Sequence, residues 1–149
     1  ISEYRMDMAG KLGADSVISA HDDLPSHLLK LNGNRLADRV IATAGAVPAL
    51  ETALKSVGRG GTVLFFAPGG PDVELHVPFN DFWRDCITLI PTYGASPIDI
   101  EVAIKLISSN RVPVQDMITH RLGLAETGRG FKLVTDAKES IKVIIEPHK

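Results

Sequence analysis

The sequence has little of several features that mark particular classes of protein. Its 149 residues include one cysteine, Cys86, and aromatic residues make up 5%. A single cysteine excludes an internal disulfide framework and is typical of a reducing compartment. No apolar run approaches the roughly 18 residues that a membrane-spanning helix needs. The composition therefore predicts a cytoplasmic protein that has no membrane partner.

Excess charge of either sign is also lacking. Lys and Arg total 16 and Asp and Glu total 18, which leaves a net charge of −2. A protein that binds nucleic acid usually carries clustered Lys and Arg, and these residues are dispersed here, so nucleic acid is excluded as the expected partner. Hydrophobic residues make up 44% of the chain, which is enough for one sizeable core or for a domain with an appendage.

Short β-branched segments alternate along the chain with segments of helical periodicity. The predicted strands are 16–19, 39–43, 62–66, 86–90, 117–121 and 141–145. Alternation of strands and helices is typical of a parallel sheet covered by helices, so we predict an α/β fold.

Two of the predicted helices have clear start signals and apolar faces. One begins near Pro48 and should turn Leu50, Leu54 and Val57 toward the sheet. The other begins at Ser96-Pro97 and ends near Asn110. Its inward face is predicted to consist of Ile100, Ala103, Ile104 and Ile107.

Several motifs follow one another in a recognisable order. They are Arg5 with Ala9 and Leu12-Gly13-Ala14-Asp15, the segment 38–45, Gly60-Gly61-Thr62-Val63, Thr119-His120-Arg121 with Leu124, and the segment 141–147. In this order and spacing the chain resembles the carboxyl-terminal half of the zinc-dependent medium-chain dehydrogenases, near the sorbitol and threonine dehydrogenase branch. The resemblance extends over nearly the whole chain.

The resemblance implies a division of the chain into two parts. Residues 1–113 look like a Rossmann nucleotide-binding domain that lacks its first strands, and 114–149 look like the segment that returns to complete a GroES-like catalytic domain. The sequence opens at Ile1 without an initiator Met, so we interpret the chain as a fragment. A G-x-G-x-x-G turn, which would hold the cofactor pyrophosphate, and the acidic residue for the ribose would then precede Ile1.

The same resemblance implies that the parent protein uses NAD, with NADP possible, and zinc. The zinc ligands of the family lie in the catalytic domain upstream, so we assign no metal ligand and no catalytic residue in this chain. Cys86 is interpreted as a small core residue. Although a histidine can serve as an acid or base near neutral pH, His120 is interpreted as a hydrogen-bonded structural residue.

Three strand ends are candidates for contact with the cofactor, because ligands of open α/β sheets bind beyond the carboxyl ends of the strands. They are Thr43-Ala44-Gly45, Phe65-Phe66-Ala67 and Pro91-Thr92-Tyr93. By resemblance, the second lies beside the nicotinamide ribose and the third offers backbone groups to the carboxamide. Gly45 has an alternative role in permitting the turn, and Tyr93 has one as an ordinary surface aromatic. Phe66 departs from the family pattern, in which a glycine is usual nearby.

Two basic residues complete the predicted cofactor site. Arg5 matches the position that reaches the ribose in NAD-using relatives, and Lys142 matches a basic residue that contacts the pyrophosphate. For Lys142 the alternative is a solvated side chain on the outer face of a strand.

The parent protein is therefore expected to transfer hydride between an alcohol or polyol and a nicotinamide cofactor, with zinc polarising the alcohol oxygen. We expect the fragment alone to be inactive and to form a homo-oligomer. The alternative is a noncatalytic nucleotide-binding or assembly module. An upstream reading frame that encodes zinc ligands would favour the fragment, and a start codon at residue 1 would favour the module.

Overall fold

The computed structural model describes residues 2–148. The helices are α1 (Glu3–Lys11), α2 (Leu24–Leu31), α3 (Val47–Ser56), α4 (Phe79–Arg84), α5 (Pro97–Ser108), α6 (Val114–Met117) and α7 (Thr127–Asp136). The strands are β1 (Ala37–Ala42), β2 (Val57–Phe65), β3 (Thr88–Pro91), β4 (Ile118–Gly123) and β5 (Lys142–Glu146), and a 3-10 turn covers Leu124–Glu126. The chain forms two compact units. The continuous unit is Ile18–Gly94, and the discontinuous unit combines the residues up to Val17 with those from Ala95 onward.

The continuous unit contains a three-stranded parallel sheet in the order β1-β2-β3. Val63 in the central strand is fully buried, and its neighbours in the core include Ala42, Leu50 and Val57. Leu54, on the same helix as Leu50, is also buried. The predicted parallel α/β architecture is thus confirmed, as is the burial of Leu50 and Leu54 on α3, whereas Val57 is buried at the start of β2 rather than on the helix.

Polar side chains cap the first turns of α2 and α5. Asp23 caps α2 and accepts hydrogen bonds from the backbone and the hydroxyl of Ser26, which lower the pKa of its carboxyl. Ser96 and Asp99 form a capping box at α5, in which the Ser96 N–H donates to Asp99 over 2.8 Å. The Ser96 side chain, and then its backbone, lower the pKa of Asp99. Because the pKa of Asp99 is lower in the folded state, its ionised carboxylate stabilises the fold at pH values above the ordinary pKa of an aspartate. This stabilisation is lost as the pH falls through the folded-state pKa.

Two local predictions are wrong. Residues 16–19 form no strand and lie outside both sheets, because no described strand lies beside them to bond their backbone groups. Cys86 is exposed rather than part of the core, because it follows α4 in a left-handed conformation with φ of 54°. The strand predicted over 117–121 is confirmed as β4, which follows the helical turn α6 and begins one residue later than predicted.

Helix α5 also differs from its prediction, because its apolar residues do not face a core. Ile100 is 52% exposed and Ile104 is 58% exposed. The apolar residues at 98, 100, 102, 104 and 106 recur every second position, which in a helix places them on all sides. A helix that is apolar all round is usually buried. The predicted helix is confirmed, but its predicted inward face is wrong, because the described residues do not supply a surface that would cover it.

The discontinuous unit contains a two-stranded parallel sheet, β4-β5, against which α7 packs. Buried Gly130 brings α7 close to the sheet, because a Cβ atom there would lie 3.2 Å from Ile145 Cδ1. Among residues 2–148, no helix combines the length and apolar character needed to cross a membrane.

The two glycines of α7 are expected to respond differently to alanine. A Cβ atom at Gly128 would meet nothing within 4 Å, so Gly128→Ala should raise the free energy of unfolding by about 0.5 to 1 kcal/mol through reduced backbone freedom. At Gly130 the same gain is offset by crowding against the sheet. Urea unfolding of the two variants measures the difference. An equal gain at both positions would show that α7 does not pack against β5 as closely as described.

Candidate functional site

The carboxyl ends of the three strands of the continuous unit lie at one edge of the sheet. Because β1, β2 and β3 are parallel and adjacent, the segments that follow them emerge side by side. Backbone hydrogen bonds join these segments: Phe66 N–H donates to Ala42 O over 3.0 Å, and Thr92 N–H donates to Phe65 O over 3.1 Å. The structure thus brings together the predicted residues Thr43, Ala44, Gly45, Phe65, Phe66, Ala67, Pro91, Thr92 and Tyr93.

The aromatic side chains at this edge have different surroundings. Phe65 is partly buried and packs against the core, whereas Phe66 is 62% exposed. Tyr93 is fully exposed, so its side chain has the surroundings of an ordinary surface aromatic. Any contribution of the segment 91–93 at this edge would then come mainly from its backbone.

Gly45 has a packing role that the sequence analysis missed. A Cβ atom at this position would lie 1.8 Å from the carbonyl oxygen of Pro68 and 2.7 Å from its carbonyl carbon. The loops after β1 and β2 therefore touch at a point where only glycine fits. This contact explains Gly45 without a ligand, so its role in cofactor binding stays a prediction.

Arg5 and Lys142 lie in the discontinuous unit. Arg5 Nη2 donates to the carbonyl oxygen of Ser140 over 3.1 Å, which holds the guanidinium against the segment that leads into β5. Ser140 is itself buried and donates its hydroxyl proton to Leu133 O over 2.6 Å. The side chain of Lys142 is exposed, in agreement with an outer position on β5.

The discontinuous unit contains a larger and a smaller cavity among its described residues. The larger has a volume of about 540 Å³ and is lined by Tyr4, Asp116, Ile118, Thr119, His120 and Glu139. The smaller, of about 130 Å³, lies between α7 and β5 and is mainly apolar. Sequence reasoning missed Asp116 and Glu139, because these residues are far apart along the chain and only the fold places them around one space.

Zinc needs several Cys, His or carboxylate ligands around one point. Within the part of the chain that the structure describes, no group of three or more such residues is arranged to hold a metal ion. The donor set of these residues therefore does not fit a zinc site. The three segments at the strand edge lie beyond the carboxyl ends of parallel strands, where ligands of open α/β sheets bind.

Comparison with known proteins agrees with this architecture. The chain is 26% identical over 147 residues to 2-dehydro-3-deoxy-L-galactonate 5-dehydrogenase of Pseudoalteromonas atlantica, covering 97% of this chain and 42% of that protein. It is 29% identical over 144 residues to erythritol/L-threitol dehydrogenase of Mycolicibacterium smegmatis, covering 96% and 39%. An Escherichia coli oxidoreductase of unknown specificity superimposes with a TM-score of 0.85 at 27% identity, covering 98% of this chain and 42% of its own.

The chain spans about two fifths of the length of each of these relatives. The sequence profile of the zinc-binding dehydrogenases matches residues 1–109, well over half of the chain. Together with the parallel sheet, this match shows that the chain belongs to the zinc-binding dehydrogenase family.

Proposed function

We propose that this chain is the cofactor-binding carboxyl-terminal part of a longer alcohol or polyol dehydrogenase. The observation that carries the proposal is the family match over residues 1–109 on a chain that spans about 40% of dehydrogenase relatives. The relatives named above are dehydrogenases of a sugar acid and of four-carbon polyols, which supports a polyhydroxylated substrate for the parent.

The edge of the three-stranded sheet would form one wall of the cofactor cleft. Its exposed backbone segments, 43–45, 65–67 and 91–93, would orient a dinucleotide by hydrogen bonds and van der Waals contact. Arg5 and Lys142 would contribute positive charge toward the ribose and the pyrophosphate. When bound, the nicotinamide ring supplies the acceptor for a hydride. NAD is the cofactor proposed, with NADP as the alternative.

The zinc ion of the parent would be held by residues outside this chain, in keeping with the absence of a fitting ligand set among residues 2–148. Residues 114–149 would complete the catalytic domain without contributing ligands, and 1–113 would form the partial Rossmann domain. The parent is proposed to be cytoplasmic and a homo-oligomer.

A comparison of the chain with an extended protein tests the proposal. Alone, the chain should bind NAD weakly or not at all, carry no stoichiometric zinc and oxidise no alcohol, because the phosphate-binding turn and the metal ligands are missing. Joined to the upstream part of its gene, it should regain all three properties, since positioning of cofactor and substrate together supplies much of the rate acceleration. Calorimetry, elemental analysis and nicotinamide absorbance measure these outcomes.

Three results would contradict this assignment. Micromolar binding of NAD by the chain alone would require a phosphate site within these residues. Turnover by the extended protein without zinc would point to zinc-independent chemistry. Cofactor binding by the extended protein without any turnover would favour the alternative of a noncatalytic nucleotide-binding or assembly module.

A further inference from the structure

The turn that joins α2 to β1 contains the one Asn-Gly pair of the sequence, Asn32-Gly33. Asn32 is the C-cap of α2, and Gly33 follows it in the left-handed conformation with φ of 59°. Glycine is common at such a position because it has no Cβ atom to clash there. Both residues are exposed, so the pair is open to solvent.

The side-chain amide of Asn32 connects this turn to the residues that lead into β1. Its Nδ2 donates to the carbonyl oxygens of Arg35 and Leu36, each over 3.3 Å. A carbonyl oxygen can only accept, so the amide must direct its NH2 group toward them. A carboxylate at position 32 could not replace these bonds, because an ionised carboxylate has no proton to donate.

The backbone nitrogen of Gly33 is the atom next along the chain that can react with this amide. Among residues 2–148 its N–H donates to no partner, and a Cβ atom on Gly33 would meet nothing within 4 Å. The N–H that follows Asn34 is bonded, in contrast, because Arg35 N–H donates to Asn32 O over 3.2 Å. A bonded N–H gives up its proton less readily. Of these two asparagines, only Asn32 is therefore followed by a free nucleophile.

We propose that Asn32 is a site of spontaneous deamidation by water. Hydroxide removes the amide proton of Gly33, the Gly33 nitrogen bonds to Cγ of Asn32, and the side-chain nitrogen leaves as ammonia. Water then opens the resulting five-membered ring. Cleavage at Cγ gives aspartate, and cleavage at the backbone carbonyl carbon gives isoaspartate. The proposal is independent of the dehydrogenase assignment, since neither residue belongs to the proposed cofactor edge.

Deamidation changes the turn between α2 and β1. The new carboxylate loses both hydrogen bonds and turns negative charge toward the carbonyl oxygens of Arg35 and Leu36. Isoaspartate also adds one carbon atom to the backbone between the two elements. Both products should therefore make the continuous unit less resistant to urea than the unmodified chain.

The reaction is measured by incubating the chain in mildly alkaline buffer, digesting it with trypsin and analysing the fragments by mass spectrometry. Cleavage after Lys30 and Arg35 releases the peptide 31–35, which contains both asparagines, so Asn34 is an internal control. A mass gain of about 1 Da should accumulate at Asn32 at least about tenfold faster than at Asn34. Gly33→Ala, which shields the nitrogen with a methyl group, should remove most of this difference.

The consequence for stability is measured by urea unfolding of Asn32→Asp and Asn34→Asp. Both variants add one negative charge to the same turn, but the side chain of Asn34 forms no hydrogen bond with another described residue. The urea midpoint should fall in Asn32→Asp and stay near that of the wild type in Asn34→Asp. Equal rates of modification at the two asparagines would overturn the site, and equal midpoints of the two variants would overturn the role of the amide bonds.

Discussion

Replacement of Gly45 by alanine is expected to lower the free energy of unfolding of the continuous unit by about 3 kcal/mol, at the upper end of the usual cost of overpacking. The added Cβ would lie 1.8 Å from the carbonyl oxygen of Pro68. Both groups at this contact are backbone, so no side chain can rotate away and one loop must move. Urea unfolding followed by circular dichroism measures the loss.

Gly70→Ala is the matched control, because it adds the same methyl group in the loop that contains Pro68. The nearest atom to a Cβ there is Val73 Cγ2 at 3.8 Å, so a change within about 0.5 kcal/mol is expected. If Gly45→Ala costs no more than this control, the two loops are not in rigid contact. Binding of a cofactor would then be the remaining explanation for glycine at position 45.

Introduction of lysine at Ile41 is expected to convert a self-associating chain into a monomer. Strand β1 lies at the edge of the three-stranded sheet, and Ile41 is 62% exposed on it. Unpaired backbone groups on an apolar edge are a template for a second strand, and two copies can pair β1 with β1 about a twofold axis. A lysine would have to be desolvated in such a pair, so the mass measured by light scattering should fall to that of one chain.

Leu31→Lys provides the comparison for this prediction. Leu31 ends α2 and is 57% exposed, so its replacement removes a similar exposed apolar side chain and adds the same charge away from the sheet edge. Association should persist in this variant. A wild-type chain that stays monomeric at high concentration, or equal dissociation by both substitutions, would contradict pairing through β1.

Local signals predicted much of the fold correctly. The start of α5 could be read from Ser96, because a cap depends on residues within one turn. The buried positions Leu50 and Leu54 of α3 followed from their apolar spacing. The strand predicted over 16–19 failed because a β-branched run needs a neighbouring strand, and composition does not reveal whether one is present. The same limit applies to α5, whose cap identifies a helix but not the surface against which it packs.

The candidate site also has features that the sequence predicts and features that it does not. Topology alone places the ends of parallel strands at one edge, so the three predicted segments could be found from the order of the elements. The contact of Gly45 with Pro68 joins two different loops and has no local signature. The hydrogen bond from the Thr119 hydroxyl to Lys142 O likewise depends on the register between β4 and β5, which the separate strand patterns do not specify.

The division of the chain into a continuous and a discontinuous unit has a consequence for the order of folding. All three strands of the parallel sheet have been synthesised once Pro91 is complete, so the continuous unit can fold while the rest of the chain is still being made. Helix α1 must wait longer, because the hydrogen bond from Arg5 reaches Ser140, 135 residues later. Closing so long a loop costs conformational entropy, and contacts between residues far apart in sequence therefore form slowly. Helix α1 is thus synthesised before the continuous unit but is fixed in place after it.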